Sequence, residues 1–172
     1  MSADSKSDVE FSVGDKVVYP SHGVGEIVDV ESESVLDAVL KVYVISFPQD
    51  KMTLRVPVTR AKVSGLRSLS TESDIKNVYE ILNTKPKRGN KMWSRRAQEY
   101  AEKINSGNIE AVAEVVRDLY KNVDTDRSYS ERTIYESALN RLASEIAVLQ
   151  QSSTEAAVEN LVDLLKDKLA AA

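Results

Sequence analysis

The sequence predicts an α+β protein: a small, strongly bent β-sheet or open barrel over residues 11–66, followed by an all-helical domain of about five helices over residues 67–172. Three observations predict it. Between residues 11 and 64 the apolar residues come in short runs rich in Val, Ile and Tyr, separated by turn-forming residues. From residue 70 onward they recur at helical spacing instead. A length of 172 residues with 42% apolar and 29% charged content suits one ordinary domain or two small ones with packed cores.

The first ten residues, MSADSKSDVE, are polar and contain no apolar stretch, so they are expected to be disordered and not a secretory signal. The strand runs are KVVYP, GEIVDV, LKVYVISF and KMTLRVPV, with breaks at SHG, ESESVLD and PQDK. Pro20 and Pro57 fall at strand ends or edges, where a missing N–H costs little. Four short strands joined by tight turns imply a bent, open sheet. Such a sheet has edges, and an edge can recruit a strand from another protein.

The first helix follows STESD, where Ser and Thr caps precede acids, and it sets Ile75, Val78, Tyr79 and Leu82 on one stripe. The spacing predicts a second helix from about Met92 to Asn105, stopping at Gly107. Asn108 caps a third with Ile109, Val112, Val116 and Leu119 inward. Ser130 begins a fourth with Ile134, Leu142, Ile146 and Leu149 inward. The last runs from Thr154 through Val158, Leu161, Leu165 and Leu169.

Charge is unevenly spread. The formal net charge is -4, yet residues 81–98 carry six basic side chains and no acid. Residues 1–80 carry 9 basic against 13 acidic side chains, and residues 99–172 carry 8 against 14. The island centres on KPKRGNKMWSRR and surrounds the only tryptophan. A charge run is ordinarily solvated surface. This one lies in the turn between the first two helices, however, and not in the link between domains.

Several chemistries find no support. The chain has no cysteine, so disulfides, thiol nucleophiles and cysteine–zinc sites are excluded. His22, in YPSHGVGE, is the only histidine and has no nucleophile at a known spacing. It is read as packing or hydrogen-bonding its loop, with Gly23 and Gly25 serving a turn that needs positive φ. GVG lacks the strand–loop–helix context of a dinucleotide loop, and Asp124 and Asp126 lie in a loop with no convergent partner. No enzyme activity, cofactor or metal is expected. No apolar run approaches the roughly 20 residues a bilayer requires, so a cytoplasmic protein without a membrane partner is expected.

Lys85, Lys87, Arg88 and Lys91 precede Trp93, and Arg95 and Arg96 follow it at a helix start. A helix N-terminus presents free N–H groups and partial positive charge, a natural phosphate contact. Lysine and arginine on phosphates give salt-dependent affinity without sequence specificity. An aromatic among them can insert at a minor-groove base step and unstack it. Core packing beside Tyr79, Met92 and Tyr100 accounts for Trp93 equally well, and both readings stand at this point.

FSVGDKVVYPSHGVGEI, MTLRVP, and WSRR followed by IEAVAEVVRDLY together resemble the CarD family of bacterial transcription regulators, over roughly residues 11–165. The resemblance implies a Tudor-like RNA-polymerase-interacting domain, shared with transcription-repair coupling factor, and a helical DNA-binding domain. It implies that the sheet holds the polymerase β subunit while Trp93 wedges into the minor groove of promoter DNA at the upstream edge of the bubble. Open complexes, for example at ribosomal RNA promoters, would thereby be stabilised. Lys85, Lys87, Arg88, Lys91, Arg95 and Arg96 are then the phosphate contacts, and Arg55 with Thr53 and Val56 the polymerase contact. Some relatives carry a basic residue in the hairpin that reads ESES here, where Glu33 supplies none. A cytoplasmic, nucleoid-associated monomer is implied. The tail also looks like a ClpXP degradation signal ending in Ala171 and Ala172, against the plainer reading of a fraying helix end.

Two other readings stay in play. An adaptor of the coupling-factor type would share the sheet and touch DNA only incidentally. An RNA-binding factor would use Trp93 as a stacking platform, but a second basic–aromatic cluster is missing.

Overall fold

The computed structural model describes residues 11–87, 91–120 and 128–171. Arg88, Ala172, Asp124, Asp126 and the first ten residues lie outside that description, as do the side chains of Leu169 and Ala171. The chain forms two compact units that divide between Ser68 and Leu69.

The first unit is one antiparallel sheet. Its strands are β1 (Lys16–Tyr19), β2 (Gly23–Val35), β3 (Ala38–Phe47), β4 (Met52–Pro57) and β5 (Arg67–Ser68), with a one-turn helix α1 (Val58–Ala61) after β4. They lie in the order β4-β3-β2-β1-β5, so β4 forms one edge. Alternation places Val17, Ile27, Tyr43, Ile45, Phe47 and Val56 inward, where Ala61 and Leu66 complete the core. The sheet bends where β2 carries an extra residue. Ile27 faces Ile45 and Asp29 faces Val44, which leaves Val28 unpaired in a bulge.

The sheet departs from the expected strands in two ways. A fifth strand exists, because Val17 and Val18 pair with Ser68 and Arg67, a two-residue run too short to read as periodic. The expected break at ESESVLD is also shorter, confined to the last two residues of that run. β2 runs to Val35 and β3 begins at Ala38, with only Leu36 and Asp37 between them. The outer half of this hairpin is a two-stranded ribbon that no other described strand covers, so it needs no apolar face and its polar sequence does not betray a strand. Leu36, at φ 56, turns the chain.

The two glycines of GVG also separate. Gly23 has φ +77, as a turn requires, whereas a Cβ on Gly25 would stand 2.8 Å from the side chains of Ile45 and Phe47. Close packing, not positive φ, selects glycine at position 25. His22 stacks on Tyr19 at 5.6 Å between ring centroids and lies 5.4 Å from Phe47, a packing role within its loop.

The second unit contains α2 (Glu72–Leu82), α3 (Trp93–Ile104), α4 (Ile109–Leu119), α5 (Tyr129–Gln150) and α6 (Thr154–Ala171). Thr71 and Asp74 form a reciprocal capping box on α2, and the Asn108 side chain caps α4. Helix α5 starts one residue before the expected Ser130, because Ser128 is the cap that accepts the Glu131 N–H. Helix α4 lies at the centre and packs against α2, α3 and α5, while α6 packs on α5. Val112, Val115, Val116, Leu119, Leu142, Ile146, Leu161 and Leu165 are enclosed. Leu149, expected inward, is 37% exposed because it falls in the last turn before the chain reverses at Gln151, φ 53. Buried Glu145 accepts the Ser70 N–H at 2.7 Å and so fixes the chain where it enters α2.

Candidate functional site

The basic island occupies the connection between α2 and α3 and the first turn of α3. Trp93 is the first residue of α3, and the preceding Met92 supplies no side-chain cap. The helix therefore begins without a capping side chain, the condition under which its free N–H groups attract an anion. Met92 is 79% exposed, and Lys85, Lys87, Lys91 and Arg95 are exposed as well.

Trp93 is half-buried, with part of the indole packed against the helical core. The other contacts follow helical spacing. Arg96 lies one turn along and Tyr100 two turns along, so all three share one face. The Arg96 guanidinium carbon sits 5.5 Å from the indole centroid and 5.7 Å from the Tyr100 ring centroid. Its Nη2 donates to the Tyr100 hydroxyl at 3.1 Å. Of the residues named for phosphate contact, Arg96 is therefore the one engaged as a brace under the indole. Core packing and exposure coexist at Trp93: one part of the ring is anchored and the rest faces solvent.

Lys91 pairs with Glu99 on α3. The hydrogen bond from Lys91 holds the Glu99 carboxyl below the usual carboxylate range, and the charges of Lys91, Arg95 and Lys103 act in the same direction. A groove of about 220 Å³ runs beside this pair. Its cations are largely matched: Lys103 pairs with Glu114 at 2.8 Å and Arg117 with Asp118 at 2.9 Å. Lys85, Lys87 and Arg95 remain as exposed positive charges toward solvent.

The root of the island is held by residues that sequence reading missed. Asp118 accepts the Lys87 backbone N–H at 2.9 Å, and Arg117 donates to the Thr84 hydroxyl at 2.9 Å. Both are buried, at 6% exposure each. The available signal was a charged pair set between Val116 and Leu119 inside an otherwise apolar helix face.

The first unit presents a different surface. Thr53 and Arg55 alternate outward on edge strand β4, whereas Val56 is 5% exposed in the core and can offer a partner only its backbone. The Arg55 guanidinium is held by Glu31 and by Glu33, the latter at 3.0 Å, both on strand β2. Among the described residues no group of three or more acidic, histidine or cysteine side chains could hold a metal. No described helix is long and apolar enough to cross a membrane.

With these surfaces in view, comparison with known proteins gives two matches in register with the two units. The family described as "CarD-like/TRCF RID domain" matches residues 11–70. The family described as "CarD, C-terminal domain" matches residues 77–163, half of the chain. The chain belongs to the CarD family. A protein of Bacillus subtilis (strain 168) named "Putative transcription factor YdeB" is 30% identical over 141 residues, covering 81% of this chain and 92% of that protein. This CarD-family chain is accordingly an RNA-polymerase-interacting transcription factor of α+β architecture with a Tudor-like first unit. Its families are of regulator and adaptor type, not enzymes.

Proposed function

We propose that this CarD-family protein binds the β subunit of RNA polymerase through the β4 edge and sets Trp93 against promoter DNA at the upstream edge of the melted region, stabilising the open complex. What carries the reading is Trp93 itself: a braced, partly exposed indole on an uncapped helix N-terminus, with exposed cations before and after it in sequence. Lys85, Lys87 and Arg95 hold phosphates, which fixes position without reading sequence. The braced indole enters a minor-groove step that is already distorted.

The energetics favour a tethered wedge. The chain is acidic overall, which discourages independent binding to DNA. Anchoring through the first unit raises the effective concentration of the DNA contact to the order of millimolar. The factor then shifts the closed–open equilibrium only by its difference in affinity for the two states. About 1.4 kcal/mol of preference for distorted DNA changes that equilibrium tenfold. Arg55 reaches its partner as part of a triad with Glu31 and Glu33, so the polymerase surface meets a group of net negative charge.

The test is open-complex lifetime on a ribosomal RNA promoter with purified polymerase and saturating protein. Wild type should lengthen the lifetime, and Trp93→Ala should lose about tenfold of that effect. Arg55→Ala should lose it through weaker polymerase binding. A Trp93→Ala protein that is folded and acts like wild type would overturn the wedge and leave the adaptor reading.

A further inference from the structure

We infer that Lys168, in the last turn of α6, is a positioning residue that sets the direction in which the basic segment leaves α2; the inference rests on the nucleic-acid reading above. The end of a helix leaves carbonyl groups without intrahelical partners and carries partial negative charge. Helix α2 has no basic residue of its own in its last turn. Lys168 supplies that cation from the far end of the chain. Its Nζ donates to the Leu82 carbonyl at 2.9 Å, across 86 residues of sequence, and also to the Thr84 carbonyl.

The same short stretch is held from a second helix. The Thr84 hydroxyl donates to the Ile81 carbonyl at 2.6 Å and accepts from Arg117 at 2.9 Å. Asp118 receives both the Arg117 Nε–H and the Lys87 N–H at 2.9 Å each. Residues 82–87 thus leave α2 between an ammonium from α6 and a buried ion pair from α4. An ordinary solvated lysine would not stay there. Burial and then the neighbouring Arg117 charge push the Lys168 pKa down, while Asp118 opposes them. The carbonyls of Leu82 and Thr84 offset that cost by taking the ammonium hydrogens. The stretch so held carries the exposed Lys85 and Lys87.

The test uses the full chain as Lys168→Met and Lys168→Arg, read by amide hydrogen exchange and by open-complex lifetime. Loss of a charge-assisted hydrogen bond should speed exchange of the Lys87 amide by about tenfold in Lys168→Met. Amides in the centre of α4 should keep their protection, and Lys168→Arg should restore the Lys87 amide and the lifetime. Unchanged Lys87 exchange in Lys168→Met would overturn the inference. So would a general rise across α2–α6, since the lysine would then hold the whole unit and not this segment. A faster Lys87 amide with an unaltered lifetime, in a system where Trp93→Ala shortens it, would also overturn the functional role. If Trp93→Ala has no effect, the DNA reading fails by itself and the exchange arm alone decides whether Lys168 orients the segment.

Discussion

The two faces that carry candidate contacts use their cations in opposite ways. Around Trp93, Lys85, Lys87 and Arg95 stand exposed toward solvent, while Lys91 is matched by a carboxylate, Glu99. On β4, the outward arginine, Arg55, is gripped by Glu31 and Glu33. The first arrangement suits a partner of dense and uniform negative charge, whose counterions are released on contact. The second suits a protein surface of mixed charge, where backbone pairing at a strand edge supplies affinity and the triad supplies register. On the proposed reading, the two contacts would thus be told apart by how completely the cations of each face are neutralised.

The comparison can be broken most severely at the root of the basic segment. Asp118→Ala leaves buried Arg117 without its carboxylate and the Lys87 N–H without an acceptor, and should cost about 3 kcal/mol in urea unfolding. The first unit has its counterpart in Gly25→Ala. The added Cβ must displace Ile45 and Phe47, and the expected destabilisation is about 2 kcal/mol, with polymerase binding reduced in proportion to the unfolded fraction.

Charge changes sharpen the contrast with little effect on folding. Replacing Lys85, Lys87 and Arg95 by alanine should flatten the dependence of log K for DNA on log salt by about 0.9 for each phosphate no longer neutralised. The same variant should bind isolated polymerase as wild type does. Equal salt slopes for variant and wild type would remove these residues from the phosphate set. The smallest effect belongs to Glu99. Its carboxyl is lowered by the hydrogen bond from Lys91, so the contribution of the pair is present above the ordinary carboxylate value and is lost as pH falls through the lowered one. A carboxyl titration followed by NMR should show this, and Lys91→Ala should return Glu99 toward the ordinary value with no measurable change in melting temperature.

Sequence alone determined the two-unit plan, the five helices of the second unit and most of its buried stripe, because helical periodicity and caps such as Thr71 and Asn108 are local properties. It also marked the basic island, since charge counts need no fold. Tertiary structure decided the rest. The hairpin through Ser34 and Val35 is a strand only because β3 pairs with it, and the two-residue β5 exists only against β1. Arg96 became a brace once Tyr100 stood one turn beyond it with its hydroxyl in reach. Lys168 reads as one more charge near a helix end, and only the packing of α6 brings it to the carbonyls of Leu82 and Thr84. Contacts across 86 residues depend on where whole helices come to rest, and that placement is set by the buried apolar core and not by the neighbours of the lysine in sequence.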